Sequence, residues 1–246
     1  MALAINGDEE DSEEEQGQAG KCEWQWSNSS HIRGVLLHQN RTKVTFHPNG
    51  SWGCAAIRGV KPLLPNMEHF FEVVMEGPFY GQARMVGIGT KHVILQSHNY
   101  DFYPLLGKDD NSWALNYNGE KYHAGQKEKY VNIPLEKLKQ LHVGVYYDGL
   151  HGTLCFEING ERYGVAYNNI YPDLELYPML CASSAGTIMT LTQSHSTVVS
   201  LKAVCRGAIR MAVKEEDIRH LPLPNHLKNY LAFRSNTLGS RESKKS

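Results

Sequence analysis

The chain has 246 residues, of which 41% are hydrophobic and 21% charged, and its formal net charge is −1 at pH 7. This size and composition are typical of a globular protein that buries a core without disulfide or metal staples. No basic stretch is interleaved with aromatic residues, which argues against a nucleic-acid partner, and no run of about 18 apolar residues exists to cross a membrane.

The five cysteines are odd in number, widely spaced and without a C-x-x-C pair. This pattern argues against a disulfide framework and a zinc site, and it favours a reducing compartment. We therefore expect an intracellular protein, in the cytoplasm, the nucleus or both, with no metal ion and no cofactor.

In chain order, the first predicted segment is an acidic tail at residues 1–20, with seven acidic side chains and no basic one. Its composition predicts disorder. It has neither the apolar stretch nor the cleavage site of a signal peptide.

Residues 21–198 have the pattern of short strands separated by turns, and Asn118-Gly119 and Asn159-Gly160 lie between such strands as hairpin signals. Only residues 134–141 show a brief helical spacing of leucines. About a dozen short antiparallel strands predict an all-β, two-sheet sandwich. The candidate strands lie in LHQNRTKVTFH, HFFEVVME, ARMVGIG, SWALNYNG, HVGVYYDG, GTLCFEING, RYGVAY, YPMLCA and TIMTLT.

From residue 199 to residue 234 the period becomes helical. Ser200 is a candidate N-cap, and Leu201, Cys205 and Ile209 recur every four residues, so that they drift by only about 80° around the helix and form one apolar face. A helix with such a face, followed by paired prolines, is typical of a docking site for another protein. Packing on the chain's own domain is the alternative.

The paired prolines lie in the run Leu221-Pro222-Leu223-Pro224. Proline disfavours the α region for the residue before it, so Leu221 and Leu223 are predicted to be extended. Pro224 is predicted to be the first residue of a second helix. The inner face of that helix is predicted to carry Leu227, Tyr230 and Leu231. Residues 235–246 are predicted to form a disordered basic tail.

Patterns that carry catalysis are missing from the sequence. The Gly87-Ile88-Gly89 segment lacks the third glycine of a phosphate-binding loop, and neither a nucleophile elbow nor a zinc-protease motif occurs. The twelve histidines show no ligand spacing. We therefore expect a protein that is not an enzyme.

Seven segments, in order, resemble those of one known family, the SPRY domain-containing SOCS box proteins, over about 200 residues. The resemblance implies a SPRY (B30.2-type) sandwich at 21–198 and a small α-helical SOCS box at 199–234. AAIRG, SWALNY, HGTL and YPMLC are closer to one particular member than to the better-known ones. The SPRY-like segments are AAIRGVKPL, HFFEVVM, MVGIGT, LLGKDDNSWALNYNG and DGLHGTLCFEINGERYGVAY, and the SOCS-like segments are SLKAVCRGAI and IRHLPLPNHLKNYL.

The SOCS-like segments carry two docking motifs of that family. Residues 200–209 match the elongin-binding pattern S/T-L-x-x-x-C-x-x-x-A/I/L/V, and residues 218–231 match the cullin-5 box. The resemblance implies that elongin C, with elongin B, is bound by Leu201, Val204, Cys205, Ala208 and Ile209. It implies that cullin-5, with its RING partner, is bound by Ile218, Leu221, Pro222, Leu223, Pro224, Leu227, Tyr230 and Leu231.

In the better-known members, loops at one end of the sandwich hold a short peptide that is rich in asparagine. Tyr80 stands where those members have an arginine and Phe102 where they have a tyrosine, so the preference for asparagine does not carry over. Ordinary packing within the sandwich is the alternative for these two rings. The implied pocket at the same end consists of His47, Tyr80, Phe102, Ser183, Ser184 and Ala185.

The resemblance thus implies a non-catalytic substrate-recognition subunit of an elongin B/C–cullin-5–RING E3 ubiquitin ligase. Its SPRY domain would bind a short peptide motif on target proteins for ubiquitination and proteasomal degradation. Two alternatives stay open at this point: a SPRY-domain interaction adaptor that recruits no ligase, and a β-sandwich enzyme with an unrecognised site.

Overall fold

The computed structural model describes residues 23–28, 32–97 and 100–234, apart from the side chain of Lys137. The predicted acidic tail at 1–20 and the predicted basic tail at 235–246 lie outside the described residues. So does Cys22.

Thirteen described strands form two antiparallel sheets, which confirms the predicted all-β sandwich. One sheet has the strand order β1-β2-β13-β4-β9-β10-β11 and the other β3-β12-β5-β6-β7-β8. The strands are β1 (Val35–His38), β2 (Lys43–Phe46), β3 (Ala55–Arg58), β4 (Met67–Glu76), β5 (Arg84–Thr90), β6 (Ser112–Asn116), β7 (Glu120–His123), β8 (Gln126–Lys129), β9 (Gln140–Asp148), β10 (Thr153–Ile158), β11 (Glu161–Tyr167), β12 (Leu176–Ala182) and β13 (Thr187–Val198).

The core lies between the two sheets and extends to the beginning of the described chain. Trp26 is fully buried and Trp24 nearly so, and Trp24 meets both Trp26 and Phe71 edge to face, at 5.3 Å between ring centroids. Strand β13 pairs with β2 on one side and β4 on the other. Early and late segments therefore belong to one sandwich.

The two Asn-Gly signals are confirmed as turns. Asn159 and Gly160 join β10 to β11 with φ values of 49° and 83°, the left-handed conformation that both central residues of a tight two-residue hairpin require. Gly119, with φ of 82°, ends the turn between β6 and β7.

Two local predictions are wrong in detail. LHQNRTKVTFH is two strands rather than one, because residues 39–41 turn the chain with three successive left-handed backbones. Residues 134–141 form only a short 3-10 helix over Leu135–Lys137, and β9 already begins at Gln140. Leu141 pairs with Met75 and is fully buried, so sheet pairing overrides the helical spacing of leucines.

Three short helical elements follow the sandwich: α1 (Leu201–Ala212), a 3-10 helix over Glu215–His220, and α2 (Asn225–Leu231). The predicted cap is confirmed, since the Ser200 hydroxyl accepts the Ala203 amide at 3.2 Å. Pro224 is the N-cap of α2 rather than its first helical residue. Its ψ of 149° is extended, so the helix begins one residue later than predicted.

None of the described helices is both long and apolar enough to pass through a membrane.

Candidate functional site

Helix α1 has two faces with opposite surroundings. Ala203, Arg206 and Gly207 are buried, whereas Leu201 is 79% exposed and Met211 is 87% exposed. At 100° per residue Leu201 lies about 170° around the helix from the middle of the buried set, whereas Met211 lies at the edge of that set, beside Gly207. The sandwich therefore covers one side of α1 and leaves the other free.

The free side is the apolar face predicted from the sequence. All five residues predicted to bind elongin C are exposed. Leu201 has the largest exposed fraction of those with a large apolar side chain, and within the described chain nothing packs over it. Cys205 is the exposed one among the four described cysteines, since Cys54, Cys155 and Cys181 are buried. We call this set, Leu201, Val204, Cys205, Ala208 and Ile209, the outer face.

The covered side is fixed by a buried ion pair. Arg206 is 5% exposed, and its Nη2 donates to Asp148 Oδ2 at 3.2 Å and to Glu68 Oε1 at 2.7 Å. The guanidinium also lies 3.9 Å from the ring centroid of Phe233. The sequence does not single out Arg206, because its acidic partners lie 58 and 138 residues away.

Gly207 lets α1 approach the sandwich closely. A Cβ built on Gly207 would lie 1.8 Å from His151 Nε2, which is closer than any real contact. His151 is held in turn by Asp148, whose Oδ2 accepts its Nδ1 at 2.9 Å. Gly207 thus serves the interface with the sandwich rather than the outer face.

The residues predicted to bind cullin-5 divide into two groups. Leu221, Leu223 and Leu227 are partly exposed, and the two prolines are exposed. Leu221 has φ −60° and ψ 143°, which confirms the extended backbone expected before a proline.

Three of the residues predicted to bind cullin-5 also make contacts within the chain. Ile218 and Leu231 are only 2% and 3% exposed, so a partner cannot reach them without rearrangement. The ring of Tyr230 lies 4.3 Å from Lys202 Nζ, which packs α2 against α1. The periodic pattern does not separate such residues from surface ones, because both kinds are apolar and share one helix side.

The predicted peptide pocket is a set of loops at one end of the sandwich, tied together by hydrogen bonds. His47 Nε2 contacts the Ala182 carbonyl at 3.1 Å, and Ser184 Oγ donates to the Tyr80 carbonyl at 2.9 Å. The Tyr80 hydroxyl donates to the Ala185 carbonyl at 3.0 Å. The structure therefore brings five of the six predicted pocket residues together.

Burial assigns different roles to these five. His47, Ser183 and Ser184 are 4%, 3% and 7% exposed, so their side chains do not line an open surface in this structure, and their part in peptide binding stays a prediction. They support the loops from beneath. Burial lowers the pKa of His47, and the hydrogen bond to the Ala182 carbonyl partly opposes that shift. Tyr80, 49% exposed, and Ala185 form the surface.

Phe102 lies outside this hydrogen-bonded set of loops. It is 38% exposed and follows Tyr100, whose amide donates to the Trp52 carbonyl at 2.7 Å. Trp52 and Tyr100 are themselves 42% and 64% exposed, and the guanidinium of Arg33 lies 4.8 Å above the Trp52 ring.

The site residues predicted from the sequence do not include Arg33, Trp52 and Tyr100. A tryptophan within the turn-rich segment HPNGSWG is the signal that was available, because a loop offers such a ring little burial. Ser51 joins this loop to the Tyr80 side, since its hydroxyl donates to the Ser183 carbonyl at 2.5 Å. We call the exposed side chains Arg33, Trp52, Tyr80, Tyr100 and Phe102 the aromatic rim.

Arg84 holds the loop that carries Tyr80. It is 2% exposed, and its guanidinium donates to the carbonyls of Glu76 and Pro78 at 2.5 and 3.1 Å. Burial lowers its pKa, and the Phe79 ring lies 5.2 Å from the guanidinium carbon.

Among the described residues no cluster of three or more His, Cys, Asp or Glu side chains could hold a metal ion.

Comparison with protein families matches the two parts of the chain separately. A SPRY domain model matches residues 68–194, and a SOCS box model matches residues 197–232. The predicted boundaries at 21–198 and 199–234 stay predictions, because a family model does not fix where a folded unit begins.

Curated proteins whose names include a SPRY domain are similar to this chain. SPRY domain-containing SOCS box protein 3 of Xenopus laevis is 36% identical over 219 residues, covering 88% of this chain and 59% of that protein. F-box/SPRY domain-containing protein 1 of Drosophila melanogaster is 33% identical over 174 residues, covering 68% of this chain and 64% of that protein. The chain spans about three fifths of the length of these relatives.

Solved structures show the same fold. The TRIM65 PSpry domain superposes with a TM-score of 0.54 at 14% identity, covering 71% of this chain and 90% of that one. The SPRY domain of human HERC1 gives a TM-score of 0.51 at 18% identity, covering 65% of this chain and 93% of that one. At these identities the likeness concerns the sandwich alone.

Proposed function

Because this chain belongs to the SPRY domain-containing SOCS box proteins, we propose that it is the substrate-recognition subunit of an elongin B/C–cullin-5–RING E3 ubiquitin ligase. The outer face of α1 binds elongin C, with elongin B, and the proline run Leu221-Pro222-Leu223-Pro224 together with α2 binds cullin-5. The aromatic rim binds a short peptide on a target protein, which is ubiquitinated and degraded by the proteasome. The chain would act in the cytoplasm or nucleus, where that machinery works.

The observation that carries this proposal is the outer face. Monomeric proteins expose apolar residues singly, whereas a contiguous apolar patch marks an interaction surface. Here five exposed residues share one side of a capped helix whose other side is already packed. Full burial of each leucine or isoleucine in a partner would contribute about 1.5–3 kcal/mol. No single residue offsets the cost of association, so the face must act as a unit.

The proline run supports a second, separate contact. Pro222 and Pro224 are exposed, Leu221 and Pro224 have extended backbones, and the Leu223 amide donates to the Leu221 carbonyl at 2.8 Å in a tight turn around Pro222. Proline fixes φ, so little conformational entropy is lost when a partner binds this segment. Elongin C and cullin-5 therefore have adjacent but distinct surfaces on one small helical unit.

The aromatic rim supports peptide binding by its composition. Exposed aromatic side chains and arginine are the residues most enriched at binding hot spots. The rim stands on loops that are fixed by buried His47, Arg84 and Ser184, and such preorganisation reduces the entropy lost on binding. We expect the target motif to contain apolar or aromatic side chains that stack on these rings, with a carboxylate or carbonyl facing Arg33.

The chain itself carries out no chemistry in this proposal. A target held on the rim is near the ubiquitin-loaded enzyme that the RING partner binds, so its lysines react at a raised effective concentration. The contribution of the chain is proximity and orientation.

Co-purification tests the proposal. The double variant L201A/C205A should lose elongin B/C and cullin-5 from affinity-purified chain, because the outer face is removed while the covered side of α1 is untouched. A matched control is V198A, which removes an apolar side chain that is also 79% exposed but lies outside the helix. Undiminished recovery of elongin C with the double variant would refute the proposal.

A further inference from the structure

The ion pair between α1 and the sandwich has consequences for the outer face on the opposite side of the helix. Arg206 projects from α1, and Asp148 and Glu68 belong to β9 and β4 of the sandwich. None of the three belongs to the outer face. Their substitution therefore removes no contact with a partner that binds there.

Helix α1 is too short to be stable alone. It has 12 residues, and isolated helices shorter than about 12–15 residues are marginal in water. Its interior contains Gly207, which disfavours a helix further. Its helical state thus depends on what packs against its covered side.

The covered side is built for a single docked position. Asp148 is 4% exposed, and its Oδ1 accepts the backbone amides of Leu150 and His151 at 3.1 Å each, which fixes the carboxylate before Arg206 arrives. Its Oδ2 then accepts from both His151 and Arg206. Removal of one partner from such a buried charge pair strongly destabilises the docked position, because it leaves the other charge buried without compensation.

We propose that Arg206 is a positioning residue through which the sandwich holds α1 folded, with its outer face presented, before any partner binds. The apparent affinity for a partner is the intrinsic affinity multiplied by the fraction of chains in which the competent state is already formed. By raising that fraction, Asp148 and Glu68 control the binding of elongin C without touching it. The part of this inference that concerns elongin rests on the proposed function, and the part that concerns α1 does not.

The chain offers a closely matched pair of variants. Glu68 and Glu76 both belong to β4 and both form ion pairs, at 2.7 Å to Arg206 and 3.3 Å to Lys43, with side chains 32% and 34% exposed. They lie at opposite ends of the strand, about 26 Å apart at about 3.3 Å per residue. E68Q removes the negative charge that faces Arg206 of α1, and E76Q removes an equivalent charge far from α1.

The third variant is D148N, which keeps an oxygen to accept the amides of the 148–151 turn but removes the charge facing Arg206. Hydrogen exchange on the full chain alone should show α1 amides exchanging about tenfold faster in D148N, with a smaller change in the same direction in E68Q and none in E76Q. Amides of β5 and β12 should be unchanged in all three and report that the sandwich is folded.

Titration of the same full-length variants with purified elongin B/C supplies the second readout. The affinity should fall about tenfold in D148N, less in E68Q, and not in E76Q. Unchanged exchange of α1 in both D148N and E68Q, or faster exchange without weaker binding, would overturn the positioning role. If D148N does not fold, E68Q against E76Q decides the question. If the parent chain itself does not bind elongin B/C, the proposed function fails and the exchange data alone decide whether Arg206 holds α1.

Discussion

The substitution L201A separates binding from folding more sharply than any other on the outer face. Leu201 is 79% exposed, so its truncation should change the free energy of unfolding by no more than about 0.5 kcal/mol. A leucine loses about three methylene equivalents on truncation, each worth about 0.8 kcal/mol when buried. With 79% of the side chain still available for burial, elongin binding should weaken by about 2 kcal/mol, or about 25-fold in Kd.

Isothermal titration of elongin B/C into the purified chain measures this change, and thermal unfolding of the same samples checks the fold. The matched control is V198A, at equal exposure but before the N-cap, which should leave Kd within about twofold. An unchanged Kd for L201A, or an equal loss for V198A, would show that the outer face is not the elongin site.

Three further outcomes are expected from other parts of the molecule. Replacing Pro222 and Pro224 together by alanine should leave elongin affinity intact but weaken capture of cullin-5 by the preformed chain–elongin complex about tenfold, because a preorganised segment is lost. Equal loss of both partners would contradict separate surfaces. The variant Y80F lacks the 3.0 Å hydrogen bond from the Tyr80 hydroxyl to the Ala185 carbonyl, which links two neighbouring loops. The affinity for captured peptides should therefore fall by about 1 kcal/mol. Unchanged capture would show that this hydroxyl does not contribute to the site. Burial lowers the pKa of His47 and His69 below the ordinary 6.5, so the unfolded chain binds protons at a higher pH than the folded chain does. The temperature of the thermal midpoint should therefore fall as the pH is lowered from about 7.5 to about 5.5. A midpoint temperature that does not fall over this range would contradict the lowered pKa of these two histidines.

Much of the fold could be predicted because its signals are local. The Asn159-Gly160 turn follows from the left-handed backbone that these two residues tolerate, and the Ser200 cap from one hydroxyl near one amide. Strand β8 shows the limit of such reasoning. Its sequence QKEK is exposed throughout, and it pairs with β7 at the edge of the sheet without an apolar side to reveal it.

The outer face was predictable for the same local reason, since 3.6-residue periodicity places its members together. The covered side was not. A charged Arg206 within a helix predicts a solvent-exposed position, and only the tertiary fold brings Asp148 and Glu68 to it. Likewise the sequence motif at residues 218–231 does not distinguish Ile218, which is buried, from Leu223, which is partly exposed.

The aromatic rim lies between these cases. Family resemblance predicts Tyr80 and Phe102 as site residues. Trp52 and Tyr100 are not predicted, because they belong to loops that are far apart in sequence and only the fold brings their ring centroids to within 5.7 Å. The pairing of loops is set by long-range hydrogen bonds such as Ser51 to Ser183. Local periodicity carries no information about them.

Reconstitution from purified components tests the central claim most directly. The full chain should bind elongin B/C, and the resulting complex should then retain cullin-5 with its RING partner on size-exclusion chromatography, whereas L201A/C205A should retain neither. A parent chain that binds elongin B/C but fails to retain cullin-5 would contradict the account. So would a double variant that retains both partners.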